Sequence, residues 1–377
     1  MTGVAALVSI SVMLNLTYSE LSLPFSDDKV TDILFDRQPL DLYMDSRSIA
    51  TYVIYKDWYE KTYGRCPPKT CYTCAGGCNP YREERFMVKL DDGSRMETVF
   101  HEGLLQFAGL KLKVRFRLII EWSPSTVYPP KKPRNHLGIG YRRNSSGEGI
   151  LSQLFLNHII SERTVSICTP SSPRKFTGKV ILGSFTASEC RTTYPQKRYR
   201  MKSPELSFNT ALSYVGVVSV EGKTFVHKMP NGLALYDTGA YSIILPKPYF
   251  ESVLNKMTDL IKQGSHRGAY VKTKDGEWYI RQEEYRYFPD LGFALGGLWE
   301  DTAILIPPKY YTERCNGTWC ALLLQHHSSP EVMLGRPFFT SHFSSFGEGP
   351  SGLRTVTLAD YASRERYQGS LESLRDS

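Results

Sequence analysis

The chain has 377 residues, of which 41% are hydrophobic and 22% charged, and its formal net charge is +8. That length is more than one compact core organises, so two lobes are expected, and the composition excludes a disordered chain. The positive excess is modest, and its densest run, RTTYPQKRYRMK (Arg191 to Lys202), reads as a solvated linker face and not as a nucleic-acid surface.

In chain order, the opening run MTGVAALVSISVMLNL carries no charged residue, and residues 1–19 are expected to be a signal peptide. Secretion, or residence in the secretory or endolysosomal pathway, follows from that expectation. No later run approaches the ~20 apolar residues of a membrane helix, so no membrane span is expected. Short runs rich in Val, Ile, Tyr and Phe then alternate with turn residues: TDILF, LDLYMD, RFMVKL, LKLKVRFRLII, TVSICT, KVILGSF, YVGVVSV and TAILIP. These predict strands, and the fold class is all-β dominated. Apolar residues at three- and four-residue spacing predict helices over ILSQLFLNHII (Ile150 to Ile160) and YFESVLNKMTDLIK (Tyr249 to Lys262). TVYPPKKPR (Thr126 to Arg134) predicts a surface loop, and residues 362–377 a polar tail.

The cysteines fall into groups: Cys66, Cys71, Cys74 and Cys78 together, Cys168 and Cys190 around a hairpin, and Cys315 with Cys320. Sequence cannot fix their connectivity, and local pairing makes the smallest demand on the chain. The run GRCPPKTCYTCAGGC fits no zinc spacing, and a secretory route favours disulfides, so no metal and no cofactor is expected. Asn144 and Asn316 head glycosylation sequons, of use only to a secreted chain.

One pattern occurs twice. LYMDSRSIATYVIY (Leu42 to Tyr55) and LALYDTGAYSIILP (Leu233 to Pro246) each set an Asp between apolar runs, with small residues after it. NHLGIGY (Asn135 to Tyr141) follows the first and VMLGRPF (Val332 to Phe338) the second. Two homologous β-lobes, each supplying one carboxylate, explain the recurrence. Residues 20–200 form the expected N-terminal lobe, with Asp45 and a Cys-rich loop over 66–78. Residues 201–361 form the C-terminal lobe, with Asp237.

In this order and spacing the motifs resemble the pepsin-like aspartic peptidases. ALYDTGAYSIILP resembles the family's second active-site turn, DRQPLDLYMD its lead-in to the first, and VMLGRPFFTSHFSSFG its closing Leu-Gly segment. The Cys66–Cys71 spacing is similar to a small disulfide loop of that family. The resemblance implies a bilobal fold with a cleft that holds a peptide or protein. In it Asp45 and Asp237 share one proton and activate a water, because two adjacent carboxylates resist double ionisation. Ser46 and Thr238 are then expected to cross-link the turns, and Ser48 to steady the first carboxylate. Gly239 is expected to let backbone N–H groups reach the second carboxylate.

Arg47 replaces the matching glycine of the first turn, where a side chain is expected to crowd the backbones and favour ionisation of both carboxylates. Ala240 lacks a supporting hydroxyl, and Phe100 falls where the family's flap carries Tyr. The stretch before Asp45 is expected to be too short for both a signal peptide and an inhibitory prosegment. Two functions therefore stand: a secreted, monomeric aspartic endopeptidase with an Asp45/Asp237 dyad, or an inactive protein of the same fold that binds peptides or proteins in its cleft. Neither calls for nucleic acid.

Overall fold

A computed structural model describes residues 20–361 apart from 75–76, 91–92, 126–131, 142–147, 170–174, 184–189, 191, 193–195, 204–206, 266–271, 275–276, 297–301, 316–317 and 349–351. The signal segment, both sequon asparagines and the polar tail lie outside the described residues.

Strands dominate, in sheets of sixteen, seven and four. Their side chains show why. Glu20–Ser26 buries Leu21, Leu23 and Phe25 and turns the residues between them outward, the period-two signature of a half-buried strand. Tyr52–Tyr55 is buried at every position, as a strand covered on both faces must be. Every apolar run named above contains a strand.

Helices are few. Lys247–Ser265 buries Phe250, Val253, Leu254, Met257, Leu260 and Ile261, a single apolar stripe. Ile150–Leu156 is shorter than its apolar pattern predicts. Asn157 closes it by donating from Nδ2 to the Gln153 carbonyl at 2.8 Å, and His158 then takes a left-handed φ of 56°. A further helix, Lys56–Tyr63, has no periodic signature; it is short and is fixed by burial of Trp58 and Tyr59.

Each Asp turn is built on the same strand arrangement. Leu42–Asp45 enters the first turn and Tyr52–Tyr55 leaves it. His136–Gly138, from far downstream, lies between them, parallel to the first and antiparallel to the second. In the second half Thr224–Tyr236 enters and Ile243–Pro246 leaves. Val332–Leu334 lies between them with the same two orientations. Each turn is thus gripped by a strand that folds late in its own half of the chain.

The halves are also sewn together. The last strands, His342–Glu348 and Arg354–Asp360, pair with each other, and His342–Glu348 pairs antiparallel with Arg163–Cys168. Residues 342–360, assigned by sequence to the C-terminal lobe, therefore extend the sheet built by the first half. Ser166 and Ser345 hydrogen bond across that seam at 2.8 Å. The basic run over 191–202 is not all linker. Lys197–Arg200 forms a strand against Arg354–Asp360 and ends the large sheet.

All eight cysteines pair locally, as Cys66–Cys71, Cys74–Cys78, Cys168–Cys190 and Cys315–Cys320. Among the described residues no helix is long and apolar enough to cross a membrane.

Close approach of backbones explains the glycine in each inserted strand segment. A Cβ on Gly138 would lie 2.3 Å from the Ala50 carbonyl oxygen, and one on Gly335 would lie 2.3 Å from that of Ser242. Ala50 and Ser242 occupy matching places beyond Asp45 and Asp237. Gly138→Ala and Gly335→Ala should each cost roughly 1–3 kcal/mol in denaturant unfolding, because backbone must shift. Gly292→Ala, where the nearest atom is a Leu305 methyl at 3.4 Å, should stay within about 1 kcal/mol of the natural chain.

Candidate active site

Leu42 and Met44 are buried, so alternation turns Asp45 out of the core at the strand's end. The chain then doubles back. Asp45 Oδ1 accepts hydrogen bonds from the N–H groups of Arg47 and Ser48 at 3.0 and 2.9 Å. Asp237 Oδ1 accepts from Gly239 and Ala240 at 2.9 and 3.2 Å. The two turns are the same structure built twice.

They are locked by the hydroxyls that follow each Asp. Ser46 Oγ donates to the Tyr236 carbonyl at 2.8 Å and accepts from Thr238 N–H at 3.0 Å. Thr238 Oγ1 donates to the Met44 carbonyl at 3.0 Å and accepts from Ser46 N–H at 3.0 Å. Both side chains are fully buried, so each of these groups depends on its partner and not on water. Ser207 adds a third tie, donating to the Ser46 carbonyl at 2.5 Å.

Ser48 behaves differently from its expected role. Its hydroxyl donates to the Ala50 carbonyl at 2.9 Å, and only its backbone N–H steadies Asp45. Ala240 supplies the same backbone donor, so the missing hydroxyl costs the second turn none of its N–H contacts to the carboxylate.

Arg47 overturns the expected steric penalty. Gly239, its counterpart, does not need a positive φ, and a Cβ there would meet only Asp237 Oδ1, at 3.3 Å. A side chain therefore fits at this place in the turn, and Arg47 N–H still reaches Asp45. The guanidinium is part-buried. It crosses to the other half, with Nη1 3.9 Å from Asp237 Oδ2 and 3.3 Å from the Met333 sulfur. Asp45 has a basic partner of its own. His136 Nδ1 lies 3.4 Å from Asp45 Oδ2. Burial raises the Asp45 pKa, but the hydrogen bond and charge of His136 and the two backbone N–H groups outweigh it, and the carboxyl lies below its ordinary value of 3.8.

His136 is the functional residue that motif reading missed. It opens the inserted strand at a place where NHLGIGY was read for its glycines alone. A polar residue at the head of an otherwise apolar triplet was the available signal.

A cavity of about 340 Å³ lies over Asp45. Arg47, Tyr52 and His136 line it from the first half, and Phe208 and Leu235 from the second. Burial pushes the Tyr52 hydroxyl up, which keeps it neutral there. Val88, Lys89, Leu90 and Met96 cover one side; they belong to the hairpin of Arg85–Lys89 with Arg95–Phe107. Phe100 is not at that hairpin's tip. It sits in mid-strand opposite Arg117, with the Arg115 and Arg117 guanidinium carbons 3.6 and 4.4 Å from its ring centre. Leu90 and Gly93 hold the tip instead, through a 3.0 Å turn hydrogen bond.

Among the described residues one group brings three metal-capable side chains together, Cys74, Cys78 and His101. Both sulfurs are committed to a disulfide, which leaves only His101, whose Nε2 is hydrogen bonded to the Tyr72 hydroxyl at 3.0 Å. The chain matches no protein-family profile, and no curated protein matches it.

Two predictions follow from the turn network and its charges. Ser46→Ala and Thr238→Ala should each lose roughly 1–3 kcal/mol of stability, since each strands a buried N–H and a carbonyl. The double variant should lose less than the sum in a mutant cycle by urea unfolding. For Asp45 the depressed native pKa means the native state holds the carboxylate ionised more strongly than the unfolded chain does. Its contribution is complete above about 3.8 and is lost as pH falls through the native value. The stability gap between the natural chain and Asp45→Asn should be open at pH 6 and close as pH drops below about 3.8.

Proposed function

We propose that this chain is a bilobal, pepsin-like protein of an oxidising compartment whose cleft binds an extended peptide but does not cleave it. The observation that carries this reading is the path of Arg47. Hydrolysis by an aspartic dyad requires one proton for two carboxylates: the ionised member takes a proton from water while the protonated member polarises the peptide carbonyl. Here each carboxylate has a basic partner, His136 at Asp45 and Arg47 at Asp237. His136 lowers the Asp45 pKa by its hydrogen bond and charge, and the Arg47 guanidinium favours the charged form of Asp237, so both oppose the shared proton.

Other features support peptide binding. The Asp turns keep their reciprocal lock, a cavity remains open beside Asp45, and an apolar hairpin edge of Val88, Leu90 and Met96 covers it. An extended peptide laid there would meet apolar walls and the backbone groups of the hairpin. The four disulfides suit a secretory route.

A second reading, an active acid endopeptidase, is favoured by the completeness of the Ser46/Thr238 network, which fixes both carboxylates in matching orientation. In that case Arg47 must swing out when substrate enters.

Digestion of a denatured-protein substrate from pH 2.5 to 6.5 separates the two. The natural chain should show binding of unfolded peptide without cleavage. Arg47→Gly should gain cleavage by at least about tenfold over background, since about 1.4 kcal/mol of charge stabilisation corresponds to one pK unit. Adding Asp237→Asn to that variant should abolish it. Acid-side cleavage by the natural chain, lost in Asp237→Asn, would establish the second reading.

A further inference from the structure

The underside of the molecule carries a row of cations that the cleft does not use. Lys197–Arg200 is the terminal strand of the large sheet, paired on one side with Arg354–Asp360. Along it Arg198 and Arg200 are exposed while Tyr199 goes into the core; past its end Met201 is buried and Lys202, at a bend, is exposed. Residues two apart on a strand repeat on one face at about 6.8 Å, so the two arginines stand in a row, with Lys202 following just past the strand's end. Among the described residues none of the three makes an ion pair with a carboxylate.

The neighbouring strand completes the pattern. Arg198 stands opposite Thr357 and Arg200 opposite Thr355, both half-exposed. Cross-strand partners lie within reach of one another's side-chain ends, so each Arg has a hydroxyl donor beside it. Two Arg–Thr pairs at strand spacing, with a lysine just past them, present guanidinium forks and hydroxyls to a linear anion, and guanidinium matches oxyanion geometry in two-point contacts.

We infer that this edge is a binding site for a sulfated polysaccharide. The surrounding surface chooses among polyanions. Tyr199, the one aromatic residue of the strand, is 1% exposed, so no ring is offered for stacking on single-stranded nucleic acid. The exposed row itself holds no apolar residue, and the exposed Leu353 just before the neighbouring strand is a single side chain, not the apolar face an interfacial membrane segment requires. Four disulfides suit an extracellular setting, where sulfated glycans are the abundant linear polyanions. The row lies on elements that share no residue with the cavity at Asp45, so glycan and peptide would bind the same molecule at once.

The test is titration of the full chain with a heparin-derived oligosaccharide, its chemically desulfated counterpart, a single-stranded DNA of equal charge and anionic phosphatidylserine vesicles. The natural chain should bind the sulfated sugar at least about tenfold more tightly than the other three. Arg198→Ser, Arg200→Ser and Lys202→Ser together should weaken that binding by at least about tenfold and lower its salt dependence by about two to three charges. A loss of three charges elsewhere, Lys61→Ser, Lys111→Ser and Lys113→Ser together, should leave the affinity within about twofold. Circular dichroism and thermal unfolding verify that the triple variant is folded. An Arg198→Lys, Arg200→Lys variant, which keeps charge but loses the forks, should fall between the two. The inference is overturned if the folded triple variant binds the sulfated sugar as the natural chain does. Equal or tighter binding of the DNA or the vesicles would overturn it as well.

Discussion

Two hydroxyls hold this molecule's centre together. Ser46 and Thr238 each bond the other's backbone N–H and a carbonyl one strand further in, so neither Asp turn is satisfied until the two halves have met. Buried N–H and carbonyl groups left without partners are costly, which makes the assembly close to all-or-none. The inserted strands depend on the same meeting point. Gly138 and Gly335 pass so close to the backbone beyond each Asp that a methyl group would displace a carbonyl. The seam strands, His342–Glu348 against Arg163–Cys168, add the long-range pairing that keeps the halves in register.

That lock fixes the carboxylates but not their charge. Beside the lock, each carboxylate has a basic neighbour, His136 on an inserted strand for Asp45 and Arg47 in the turn itself for Asp237. Arg47 can take its position because the turn admits a Cβ: at the matching Gly239 one would meet only Asp237 Oδ1, at 3.3 Å. The side chain's length then carries its charge across the interface to Asp237. A shorter substitution would fill the same place in the turn without reaching the other half. The contrast separates what the fold tolerates from what the chemistry requires.

Much of this was legible in the sequence. Strand positions followed from apolar runs between turns, and the repeated Asp pattern marked the two turns and the hydroxyls between them. Local disulfide pairing was also readable, since neighbouring cysteines close small loops at little cost. What was not legible depends on three-dimensional neighbours. The glycine-for-arginine exchange looked like a steric fault because sequence does not show whether a turn has space. His136 was hidden in a segment read for its glycines. Phe100 was matched to the family's flap Tyr on apolar alternation, which a shift of a few residues leaves unchanged; it sits in mid-strand, and Leu90 and Gly93 close the turn of that hairpin. The late strands over 342–360 join the first half's sheet through pairing that no local pattern encodes.

The most direct measurement is a carbon-13 NMR titration of the Asp45 and Asp237 side-chain carboxyls in the folded chain, from pH 7 down to the acid limit of folding, with Asp45→Asn and Asp237→Asn used to assign the signals. If each carboxylate is held by its own basic partner, both signals will report ionised groups at pH 5, and that of Asp45 will remain so to below about 3.8, its ordinary value. A carboxyl of the pair that is still protonated at pH 5, with its titration shifted when the other Asp is replaced, would mean that the two share a proton after all. The proposed silencing of the site by Arg47 and His136 would then be wrong.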